Sequence, residues 1–100
     1  MGTNDALSAL SKEIAEIKTE ISVLEEQALF AHEVAADANL RAMVAETPLA
    51  DRESEEAKRD ENIAQRSLDE AKVRLVKLQQ EQDRLLERLF EESGPSTPWS

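Results

Sequence analysis

The sequence predicts an all-α chain, a long antiparallel two-helix coiled-coil hairpin that is Ala-rich near the turn, Leu/Ile-rich at the open end, and dimerises into a four-helix bundle. Three observations predict it. Apolar residues recur at alternating steps of three and four along most of the chain. A proline in the middle resets the phase of that repeat. When the chain is folded back at the proline, the residue sizes on the two sides match.

The first seam runs Leu7, Leu10, Ile14, Ile17, Ile21, Leu24, Ala28, Ala31, Ala35, Ala38, Ala42 and Ala45. Large residues up to Leu24 give way to alanine alone, which lets two helix axes approach closely. This defines a first helix over residues 4–45. At Glu46-Thr47-Pro48-Leu49 the pattern breaks. Pro48 would clash with the carbonyl four residues earlier and biases Thr47 to extended geometry, whereas Thr as N-cap with Pro in the first turn is a favourable helix start. Residues 46–48 are therefore a turn, and a second helix spans residues 48–92. Its seam is Ala50, Ala57, Ala64, Leu68, Ala71, Leu75, Leu78, Leu85 and Leu89, with Ser54, Glu61 and Gln82 as polar occupants.

Folding the second seam onto the first with Ala45 opposite Ala50 sets the register. Ala38 then meets Ala57, Ala31 meets Ala64, Leu24 meets Ala71, Ile17 meets Leu78 and Leu10 meets Leu85. The alternate layers pair Ala42 with Ser54, Ala35 with Glu61, Ala28 with Leu68, Ile21 with Leu75, Ile14 with Gln82 and Leu7 with Leu89. Small faces small near the turn, and large faces large at the open end. Each arm would be roughly 60 Å long at the α-helical rise. Glu61 must reach out past the small residues around it or lose solvation, and Gln82, among larger residues, is expected to fix register at some cost in stability.

Outside the seams, Val23, Phe30, Val34 and Val44 share one flank of the first helix, Val76, Leu86 and Phe90 share a flank of the second, and Ile63 adds to the apolar surface. One two-helix layer cannot cover them all, and they are the expected dimer or partner interface. Beyond the second helix, Gly94 suits a helix end and Pro95 prevents continuation. Residues 93–100 are expected to form a disordered tail in which Trp99 is available to a partner.

Composition narrows the function classes. The 100 residues include 12 Lys+Arg against 22 Asp+Glu, a formal charge of −10, 40% apolar but only 3% aromatic residues, and no Cys. A phosphate lattice rewards clustered cations, so direct binding to nucleic acid is not expected, and anionic membranes are disfavoured for the same reason. No apolar run approaches the ~20 residues of a membrane span, and the N-terminus has no basic stretch leading into an apolar one. A cytoplasmic protein without a signal peptide is the expectation. Without Cys there are no disulfides, thiolate metal sites or thiol nucleophiles.

Nothing points to catalysis. His32, the one imidazole, is followed by Glu33, but the residue four positions on is Ala36, so the His-Glu-x-x-His zinc spacing is absent. Two glycines, at positions 2 and 94, supply neither a phosphate-binding loop nor a nucleophile elbow. Glu53, Glu56 and Asp60 share a helix face that reads as solvated, not as a cation site. The expectation is no enzyme, no cofactor, no metal and no small-molecule substrate, and a partner that is the chain itself or another protein. The function expected is a structural or interaction module acting as adaptor, scaffold or regulatory subunit.

The turn is acidic, with Glu46, Asp51, Glu53, Glu55 and Glu56 among Arg41 and Arg52. Acids in a first helical turn are favourable with the helix dipole. The hairpin plan with Asp51, Glu53 and Glu55 near its turn also resembles the acidic-tipped hairpins of the Gre and DksA-type transcription factors. That resemblance implies an alternative function, insertion of the tip into RNA polymerase, although the globular or zinc-bearing domain of those families is missing here. A small helical-hairpin protein of a secretion system is a further alternative of similar size, without the Trp-x-Gly turn of the WXG-type proteins.

Overall fold

A computed structural model describes residues 2–94, in which two long helices, α1 (Thr3–Ala45) and α2 (Pro48–Ser93), pack against each other as a hairpin. The tail at 95–100, with Trp99, lies outside the described residues. Among the described residues there is no strand, and no helix is long and apolar enough to cross a membrane.

The ends of both helices follow from local chemistry. The Gly2 carbonyl accepts from the backbone N–H groups of Asp5 and Ala6 at 3.1 and 3.2 Å, while the Gly2 N–H donates to Asp5 Oδ2 at 3.4 Å. This reciprocal cap starts α1 at Thr3, one residue before the expected boundary. α1 ends where Glu46 takes a left-handed backbone conformation, φ 52°, its N–H donating to the Ala42 carbonyl at 3.1 Å. Thr47 then caps α2: its Oγ1 accepts from the Ala50 N–H at 3.2 Å, and Pro48 occupies the first helical position, where no N–H is needed. At the far end the Gly94 N–H donates to the Glu91 carbonyl at 3.1 Å and Gly94 adopts φ 75°, so α2 runs through Ser93 before the glycine closes it. Thr47→Ala is expected to cost about 1 kcal/mol, because the Ala50 N–H loses its partner at an exposed turn. A urea unfolding curve displaced to lower midpoint with unchanged slope is the check.

The described residues divide into two compact units, a terminal unit of residues 2–19 with 73–94 and a turn unit, Glu20–Lys72. In the terminal unit Leu10, Ile14 and Ile17 are buried on α1, while the α2 residues Leu75, Leu78, Gln82, Leu85 and Leu89 are half-buried. The Thr3 hydroxyl donates to the Glu92 carboxylate at 2.8 Å, one heptad beyond Leu10 and Leu85 in the expected register. In the turn unit Ile21, Ala28, Ala35, Ala38, Ala42, Ala57, Leu68 and Ala71 are buried, and Ala35, Ala38 and Ala57 form one cluster. The grouping of Ala38 with Ala57 again falls on the expected register.

The seam departs from expectation at one point: Ala45, assigned to the innermost layer with Ala50, is exposed. It is the last residue of α1, where the chain turns away at Glu46, and Ala42 is the last alanine that α2 covers.

Candidate functional site

The turn unit has two unlike faces, and its heptad positions separate them. With the seam residues as positions a and d, a groove follows one side of the seam in two depressions of about 320 and 500 Å³. Its walls are e and b positions of α1, such as His32, Asn39, Leu29 and Ala36, and e and b positions of α2, such as Lys58, Gln65 and Glu55. Both e/b flanks therefore lie on one face of the unit. The c and g positions of both helices fall on the other.

His32 and Glu61 line both depressions, and His32 Nδ1 meets Glu61 Oε2 between them. The expected choice for Glu61 is thus resolved in favour of reaching out. With alanine at Ala35 opposite it, its carboxylate escapes the seam and finds the imidazole one turn earlier on α1. Neither side chain is buried, and no buried side-chain polar atom among the described residues lacks a partner. Sequence reasoning considered the two residues separately and did not join them. The signal was present, since His32 precedes by one turn the residue that faces Glu61.

The groove's one imidazole is engaged by a carboxylate, and among the described residues no group of three or more His, Asp and Glu side chains is placed to share a metal ion. Gln65 donates to Asp69 at 3.0 Å along the same helix, which leaves another groove side chain committed to structure.

The opposite face carries a stripe of exposed apolar side chains among charged ones. Val23, Phe30, Val34 and Val44 from α1 and Ile63 from α2 occupy c and g positions, and all are exposed, Phe30 by 68% and Val44 by 79%. Leu49 joins them at a c position two heptads before Ile63, a residue the sequence reading left out although its spacing marks it. Crossing this face is the Arg41–Asp37 ion pair, an i,i+4 contact within α1. In the terminal unit, Val76, Leu86 and Phe90 are exposed on the e/b flank of α2. There Glu81 pairs with Arg84 in its own helix.

The acidic residues near the turn are exposed but not gathered. Glu46 stands in the turn, Asp51 and Glu55 lie on the groove flank of α2, and Glu53 and Glu56 lie on its apolar-face flank. The helix that starts at Pro48 winds them around its axis within two turns.

Fold and faces together define the class: an all-α two-helix hairpin whose turn unit has a groove along one face and a stripe of exposed apolar side chains among charged ones on the other. The chain matches no protein-family model, no curated protein and no solved structure at a significant level.

Proposed function

We propose that the chain is a non-enzymatic interaction module, a coiled-coil hairpin that self-associates as a homodimer and works as an adaptor, scaffold or regulatory subunit in the cytoplasm. The observation that carries this reading is the exposed apolar face of the turn unit. Its six large side chains are each at least 40% exposed and share one flank of each helix. Scattered surface apolars are ordinary, but a stripe of this kind marks an association surface. A helix pair laid on it would complete a four-helix core.

The expected result is a dimer or larger species by light scattering at micromolar concentration. Phe30→Glu should weaken association at least tenfold while leaving helical circular dichroism nearly unchanged, because Phe30 lies outside the intrachain seam. A wild-type chain that stays monomeric across that range sinks the reading.

Exposure of Glu46, Asp51, Glu53, Glu55 and Glu56 favours a second reading, an acidic turn offered to RNA polymerase. Neutralising Asp51, Glu53 and Glu55 together separates the two, since loss of binding to purified polymerase with dimerisation intact would support the second.

A further inference from the structure

We draw no further inference here: the strongest candidate, the flank of α2 in the terminal unit on which Val76, Leu86 and Phe90 stand exposed, is an unpartnered apolar face, and nothing in the structure shows what covers it.

Discussion

Leu68→Ala is expected to be the most damaging single substitution in the turn unit, lowering stability by roughly 2–5 kcal/mol. Leu68 is 6% exposed on α2, in the layer where large residues give way to alanine. Its nearest seam neighbours, Ala64 and Ala71, are too small to fill the space its removal would open, so the lost transfer free energy is joined by a cavity. Leu40→Ala is the matched control. Leu40 is 59% exposed on the outer side of α1, away from both the seam and the proposed association surface, and its loss should stay within about 0.5 kcal/mol. Urea unfolding at one fixed protein concentration makes the comparison, because the apparent stability of an associating chain depends on concentration. Equal losses for the two variants would contradict the observed seam.

Ala38→Leu is the second large effect, with the opposite cause. Ala38 is 3% exposed and clusters with Ala35 and Ala57, so α1 and α2 run close together there because every side chain is a methyl group. A leucine must push the helices apart or adopt a strained rotamer, at roughly 1–3 kcal/mol. Ala9→Leu, at an exposed position of the terminal unit, should be nearly neutral because alanine and leucine are both strong helix formers. A fall in melting temperature for Ala38→Leu with none for Ala9→Leu is the expected outcome. A neutral Ala38→Leu would mean that the alanine layers are not in close contact.

Much of this was legible along the chain. The steps of three and four from Leu7 to Ala42, and again from Ala50 to Leu89, mark the residues that are buried or half-buried. Thr47-Pro48 and Gly94 mark helix ends because capping is a matter of a few adjacent residues. Less was legible in the site. The sequence shows that Val23, Phe30, Val34, Val44 and Ile63 lie off the seams. That they share a face with Leu49, across from the groove, depends on which flanks of the two antiparallel helices lie together.

The sequence by itself determined two helices, their ends to within a residue, their seams short of Ala45 and the grouping of Ala38 with Ala57, because each is encoded either in local capping chemistry or in a one-dimensional repeat. Tertiary structure alone decided the depth of burial and the partners of polar side chains. Ala71 is fully buried whereas the larger Leu75, Leu78, Leu85 and Leu89 remain half-exposed, since burial is set by what lies opposite a residue as well as by its own hydrophobicity. Glu61 likewise needed the opposing helix. Its carboxylate leaves the seam because alanine across from it yields room and His32 stands within reach, a coincidence of two segments far apart in the chain and adjacent only after it folds.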